Sequence, residues 1–306
     1  MNNLDLKSQL ADYLSSCAFE PFTVLTVPIQ LRAFTIRVPR TFSKPILELS
    51  QALSEGSVEV TEVDQGGSVQ ELLVHNPTES YLLIYEGSLL KGAKQNRVIN
   101  ATLLLPPRSK QVIPASCVEQ GRWRYASPGF TSSPYSSPQF LRKSIRTQIH
   151  KRSNLMGSQG QVWEDIRRYA ALKKTHSDSG DFEDIYHRSN KTEQLFPNGL
   201  SLPPTEGFLV ETRGECTMDL VANKEAFAHL LPRLVAGFEL PHRDEHPLNW
   251  EKPTEEVARW LAEGEVFTQP SPGVGIDIRI RTDQHLMSAL MVDEEVVAFG
   301  LTAHGA

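Results

Sequence analysis

The chain has 306 residues, 40% of them hydrophobic, 22% charged and 8% aromatic, with a formal net charge of −6. This is apolar material for one large domain or two ordinary ones. The acidic total argues against wholesale binding to nucleic acid, and no apolar run reaches the ~20 residues that cross a bilayer.

Residues 6–16 are expected as a short amphipathic helix, 22–30 and 34–38 as strands bounded by prolines, and 45–53 as a helix ending near Gly56. A dense run of β signals follows at 57–63, 68–75, 81–85, 96–105 and 110–118. Gln65-Gly66-Gly67, Asn76-Pro77-Thr78 and Pro106-Pro107-Arg108-Ser109 separate them as turns. Short connections predict antiparallel pairing in a sandwich or barrel, not βαβ units. The stretch SPGFTSSPYSSP over 127–138 has no periodicity and reads as a loop. Ser158 and Gln161 fit a capping box before a helix with Val162, Trp163, Ile166 and Tyr169 on one face. His176 to Glu206 is polar and irregular, and 207–220 reads as a hairpin. Asn223 caps a helix burying Phe227, Leu230, Leu231, Leu234, Val235 and Phe238, with a kink at Pro232. Thr254 caps another through Val257, Trp260 and Leu261, stopped by Gly264. Strands return at 274–280, 289–292 and 296–301. The sum is an α+β fold. Residues 1–125 form a mainly antiparallel, β-rich part, sandwich or barrel-like; residues 126–306 form a mixed helix-and-strand part, continuous with the first or packed on it as a subdomain.

Three widely spaced cysteines, Cys17, Cys117 and Cys216, suit neither a disulfide framework nor a Cys-pair zinc site. With no basic-then-apolar leader in MNNLDLKSQLADYL, a reducing cytoplasm is the expected setting. Charge is unevenly spread. From Glu86 to Arg152 there are twelve Lys and Arg against Glu86 and Glu119, a local +10 that leaves −16 on the rest. A positive region in an acidic chain suits an anionic small molecule; the alternative is a basic face that balances acidic neighbours.

The turn over 91–97 is the most informative part of that region. Gly92 permits close backbone approach. Gln95 and Asn96 both donate and accept, and the fork of Arg97 suits carboxylate or phosphate. The turn is neither a Walker loop nor Gly-x-Gly-x-x-Gly. In the strand over 110–118, Ile113, Ala115, Cys117 and Glu119 share one face. A thiol beside a carboxylate has a raised pKa, so Cys117 reads as structural rather than nucleophilic. Lys94, Arg97, Glu119 and Arg122 are expected in one cleft, with Glu86 or Glu119 meeting Arg97 or Arg122. Trp123 either stacks on a base or sugar or anchors its loop in the core, and its large apolar area favours the anchor. Two further clusters are weak metal candidates, His242 with His246 between Pro241 and Pro247, and His176, Asp178, Asp181, Asp184 and His187. No metal site is expected, and no cofactor is indicated.

EGSLLKGAKQNRVINA followed by IPASCVEQGRWRY resembles the ARG and Rhodanese-Phosphatase-superfamily-associated Protein domain, first type. The likeness takes in SVQELLVHN, GQVWEDI and DLVANKEAFAHLLPRL. By motif match it covers Glu86, Gly87, Gly92, Lys94, Gln95, Asn96, Arg97, Asn100, Cys117, Glu119, Gly121, Arg122 and Trp123. Ser88-Leu89-Leu90 stands where the family's turn carries a second acid, which counts against a metal there. The resemblance implies association with ADP-ribosylglycohydrolases and rhodanese/phosphatase-type domains, and no particular reaction. Two functions are therefore expected. One is binding of, and action on, an anionic small molecule (ADP-ribose-like, a nucleotide or a phosphorylated metabolite). Lys94, Gln95, Asn96, Arg97, Arg122 and Trp123 would bind it, and Glu86 or Glu119 would act as general base. The other is a non-catalytic sensor or adaptor working with ADP-ribosylglycohydrolase or phosphatase-type partners. Isolated acids in a basic field stay ionised, which favours binding over catalysis. Neither nucleic acid nor a membrane is expected as a partner.

Overall fold

A computed structural model describes residues 3–26, 29–189, 203–212, 215–237 and 253–303. Helix α1 (Asn3–Ser15) precedes a hairpin of β1 (Ala18–Thr26) and β2 (Ile29–Arg37). Strand β3 (Ile46–Glu48) runs into α2 (Leu49–Glu55). Then follow β4 (Glu59–Thr61), β5 (Glu71–Asn76), β6 (Tyr81–Ile84), β7 (Ser88–Gly92), β8 (Arg97–Ile99), β9 (Leu103–Leu105), β10 (Ser109–Cys117) and β11 (Phe130–Ser136). Helices α3 (Gln139–Arg152), α4 (Gln159–Leu172) and α5 (Phe182–Ser189) lead to β12 (Gly207–Thr212) and β13 (Glu215–Val221). Helices α6 (Lys224–Ala236) and α7 (Pro253–Glu263) precede β14 (Glu265–Pro270), β15 (Ile276–Arg281), β16 (His285–Val292) and β17 (Glu295–Ala303). The fold is α+β, as the sequence predicts.

An antiparallel eight-stranded sheet has the order β1-β2-β12-β13-β17-β16-β15-β14, so it joins the first hairpin to the C-terminal strands. All eight residues of β16, HLMSALMV, are buried, because this strand lies inside the sheet with both faces covered. A six-stranded sheet, β11-β7-β8-β10-β5-β4, curls until its outer strands meet. There the Val60 carbonyl lies 2.9 Å from where a side chain on Gly129 would begin. A third sheet, β3-β6-β9, links the two. One core combines residues such as Leu10, Leu14 and Ile36 with Phe227, Leu290 and Phe299. The other lies within 49–186 and includes Leu72, Val98, Ile113, Leu141 and Phe182.

Local chemistry accounts for several elements. The Glu48 carboxylate accepts from the Ser50 and Gln51 N–H groups and caps α2, which ends at left-handed Gly56. Asn223 caps α6 by accepting from Ala226 N–H, and the helix continues through Pro232. Several expectations need correction. The expected strand over 22–30 is divided between β1 and β2, the expected helix over 45–53 begins with strand β3, α5 lies within the stretch expected to be irregular, and Thr254 lies inside α7 rather than capping it. Residues 127–138 contain a strand, β11. It pairs with β7 on one side and carries exposed Pro134, which an edge position with a register shift between Ser132 and Ser136 tolerates. The expected strand over 96–105 is two strands in different sheets. At the break, Asn100 binds Leu155 O and the Ser116 hydroxyl, and Thr102 accepts from Glu86 N–H. Ser158 precedes α4 but its side chain makes no capping bond, and the reciprocal half of the box is also missing, since the Ser158 N–H donates to Gln148 and Gln161 turns to Asp165. Helix α3 escaped the sequence reading, since its buried face interrupts apolar residues with Arg142 and Arg146.

Gly92 sits at the end of β7 with φ 128°, where an added Cβ would clash with the Ser127 hydroxyl and lie 2.6 Å from the Gly129 carbonyl. Gly92→Ala is expected to cost about 1–3 kcal/mol of stability, read as a lower midpoint in urea unfolding. An unchanged midpoint would remove the close approach of β7 and the 127–129 segment as a constraint.

Candidate functional site

At one end of the curled sheet, β7 stops while β5, β8 and β11 begin and β10 ends. The register places Arg97 opposite both Cys117 and Leu90, and Gly92 opposite Phe130. The fully buried Arg97 side chain fills this mouth. Its Nη2 donates to both Glu62 carboxylate oxygens at 3.2 Å and to Ser68 O at 3.1 Å, and its Nη1 donates to Gln95 O at 2.9 Å. Glu62 also accepts from Lys94 N–H at 3.1 Å. The Lys94 ammonium donates to Gln65 O and Gly66 O, both at 2.6 Å. It lies 5.4 Å from the Trp123 ring centroid and 5.3 Å from that of Tyr125.

Beside it, Arg122 Nε donates to both Glu119 oxygens at 2.9 Å, and Arg122 Nη1 donates to Ala93 O at 2.6 Å. Asn96 ties the rim together. Its N–H donates to Glu119, its side-chain oxygen accepts from Gly92 N–H and Arg122, and its amide nitrogen donates to Asp181 at 3.0 Å. Gln95 reaches Gln120 O at 3.4 Å. Burial pushes the Cys117 thiol up to about 12; Arg97 pulls it down while Glu62 and Glu119 raise it further. Its Sγ donates to Val69 O. The same balance, led by burial and opposed by Asn96, raises the Asp181 carboxyl above its ordinary range, with Glu119 adding to the rise.

Lys94, Gln95, Asn96, Arg97, Glu119, Arg122 and Trp123 therefore meet at one mouth. Glu119 pairs with Arg122 as expected. The partner of Arg97 is Glu62, from outside the motif pair. The signal for it was available: in the strand-forming run 57–63, alternation puts Glu62 on the same face as Val58 and Val60, and all three are buried. Trp123 is not a core anchor. It is 46% exposed and Tyr125 is 48% exposed, because the ring covers the buried Lys94 and Arg97 cations from the solvent side instead of entering an apolar layer.

Glu86 lies elsewhere, before the opposite end of β7. It is buried between the two cores. Arg146 Nε donates to it at 2.7 Å, Arg279 Nη1 at 3.2 Å and the Ser288 hydroxyl at 3.1 Å, while Arg142 stands 3.8 Å away. Arg142 grips Asp219, which also accepts from the Tyr85 hydroxyl at 2.9 Å, and Arg279 holds Asp277 at 2.9 Å. Three arginines thus balance three carboxylates. Burial alone would raise the Glu86 pKa, but Arg146, Arg279 and Arg142 override it and hold the carboxyl at about 2. Sequence reasoning missed these partners, although Arg142 and Arg146 are four apart on α3, and Asp277 and Arg279 alternate with Ile276, Ile278 and Ile280 in β15.

Of the two metal candidates, the pair His242 and His246 lies outside the described residues. In the other, Asp181 turns to Asn96, Asp184 to Arg188 and His187 to the Tyr135 hydroxyl, while His176 and Asp178 are exposed. Among the described residues no three His, Cys, Asp or Glu side chains are grouped to hold a metal ion. No helix among them is long and apolar enough to cross a membrane.

The motif pair thus builds one mouth and one interior charge cluster, an arrangement that needs strands from most of the chain. The model of the ARG and Rhodanese-Phosphatase-superfamily-associated Protein domain matches residues 25–302. The chain belongs to this family. No curated protein and no solved structure matches it.

Because Glu86 titrates below its ordinary carboxylate value, the stability it contributes is fully present above about pH 4.5 and is lost as pH falls toward about 2. Glu86→Gln leaves the arginines in excess and is expected to destabilise by about 3–5 kcal/mol at pH 7. Melting parent and variant across this range should show the gap narrowing as pH falls; a gap independent of pH would overturn the charge account.

Proposed function

We propose that the chain is a binding module that captures an anionic small molecule bearing a planar ring, and that it acts by binding rather than by catalysis. The observation that carries this is the half-exposed pair Trp123 and Tyr125 over Lys94, next to exposed Arg124, which has no acidic partner among the described residues. Aromatic surface for a base and a guanidinium for a phosphate lie on one short segment. Lys91, 59% exposed and 3.6 Å from Glu183, adds a second reachable cation on β7. Buried Arg97 and the Glu119–Arg122 pair support this surface from below.

Three facts favour binding over chemistry. Glu86 is buried and held ionised by arginines, Glu119 is fully engaged by Arg122 and Asn96, and the Cys117 thiol is pushed up to about 12. A general base needs a free carboxylate with a pKa near the working pH. The family's name ties it to ARG and rhodanese-phosphatase superfamily proteins. That makes ADP-ribose-like and other phosphorylated ligands the first to try, and proteins of those kinds the first partners to test.

The test is a thermal-shift screen with ADP-ribose, NAD, nucleotides and phosphosugars. A ligand at a hundred times its Kd should add about 2.7 kcal/mol. Trp123→Ala should remove about 1–3 kcal/mol of binding, and Arg124→Ala should also weaken it, with the unliganded melting temperature unchanged in both. If no anion stabilises the protein, or Trp123→Ala binds as tightly as the parent, this reading is wrong. Turnover of the bound compound would return the enzyme reading to first place.

A further inference from the structure

The rim of the mouth is strapped to the segment before α5. Gly121 N–H donates to Ser179 O at 2.6 Å and Phe182 N–H to Val118 O at 2.8 Å, with Glu119 and Asp181 paired directly across from each other. The approach is tight: a Cβ on Gly121 would lie 2.9 Å from Ser179 O. Like charges set opposite one another across paired strands are destabilising. The Glu119 charge is committed to Arg122. Asp181 accepts only neutral donors, the Asn96 amide at 3.0 Å and Glu183 N–H at 3.3 Å, and has no cationic partner among the described residues. The other charges around it are already engaged. Glu183 of α5 faces Lys91 of β7, Asp184 binds Arg188, and exposed His176 and Asp178 are 3.9 Å apart. The strap therefore holds a carboxylate pair with cation support for one member only.

We propose that this strap is a proton-operated latch on the binding surface. With Asp181 protonated, 118–121 is held against 179–182; with Asp181 ionised, repulsion from Glu119 loosens the strap and frees residues 122–125. The linkage to ligand capture rests on the reading of Trp123 and Tyr125 as the recognition surface, whereas the latch itself does not. The sign follows from the raised Asp181 carboxyl: the latch is tightest below the ordinary carboxylate range and weakens as pH rises through the raised value.

Hydrogen exchange on the full, unliganded chain between pH 4 and 8, expressed as protection factors, tests the latch. Protection of 119–125 and 179–182 should fall several-fold with rising pH in the parent, and each unit of carboxyl shift corresponds to about tenfold. Asp181→Asn retains an acceptor for Asn96 and should keep the low-pH protection throughout. His176 is present in both proteins, so any effect of its own persists in the variant. A pH-independent parent overturns the latch even should the variant fail to fold, as does a variant that tracks the parent. A working latch with no ligand in the screen leaves the latch standing and removes the binding reading alone. A ligand whose affinity is unaffected by Asp181→Asn breaks the link between them.

Discussion

Everything else in this structure is arranged around the buried Glu86. It sits where β6 turns into β7, and the groups that reach it come from α3, β15 and β16, with Asp219 of β13 and Asp277 of β15 completing the balance. The cluster joins the core built from both chain ends to the core within 49–186. Charges this deep are costly to desolvate, and such a group is tolerable only if neutral overall and hydrogen-bonded. Three guanidinium groups and three carboxylates meet the first condition; toward the second, Tyr85 donates to Asp219 and Ser288 to Glu86, while Arg142 Nε is buried without a hydrogen-bond partner. Neighbouring backbone makes room: at Gly300 a Cβ would collide with Arg146 and lie 3.1 Å from Glu86. The cluster works as a registration device, because any shift of α3 against the eight-stranded sheet would leave a buried charge alone.

The same accounting explains the uneven charge along the chain. Half of the twelve Lys and Arg between Glu86 and Arg152 are held in ion pairs. Arg97 binds Glu62, Arg142 binds Asp219, Arg108 binds Glu79 and Lys91 faces Glu183, each acid coming from outside that segment. Arg146 and Arg122 take the segment's own two acids. What looks in sequence like one positive surface is thus partly interior: Arg97, Arg122, Arg142 and Arg146 are spent on ion pairs with little or no exposure, while Lys91 and Arg108 pair at the surface. The functional consequence is selective. The cationic surface left at the mouth is small and sits beside two aromatic rings, which suits one bound molecule better than a long polyanion.

At the mouth, local and distant constraints act together. Gly92 lets β7 end against the 127–129 segment, Asn96 saturates four neighbours at once, and the Arg97–Glu62 pair fills the interior below them. A rigid support beneath an exposed aromatic pair lowers the ordering cost of binding there. The strap between Glu119 and Asp181 is the contrasting feature, since it is held without full charge compensation.

The sequence by itself determined what depends on near neighbours. The cap of Asn223 on α6, the hairpin of β12 and β13, the stop of α7 at Gly264 and the pairing of Glu119 with Arg122 three residues on all follow from short-range geometry. The polar turn that lines the mouth was legible for the same reason, since its glycine, amides and cations are contiguous. Tertiary structure alone decided which charges meet. Arg97 and Glu62 are 35 residues apart, Arg142 and Asp219 are 77 apart, and Arg279 and Glu86 are 193 apart. No local pattern chooses among the many acids and bases at such separations. The order and register of strands in three sheets make that choice, by placing one pair of side chains in a space from which water is excluded and leaving every other combination out of reach.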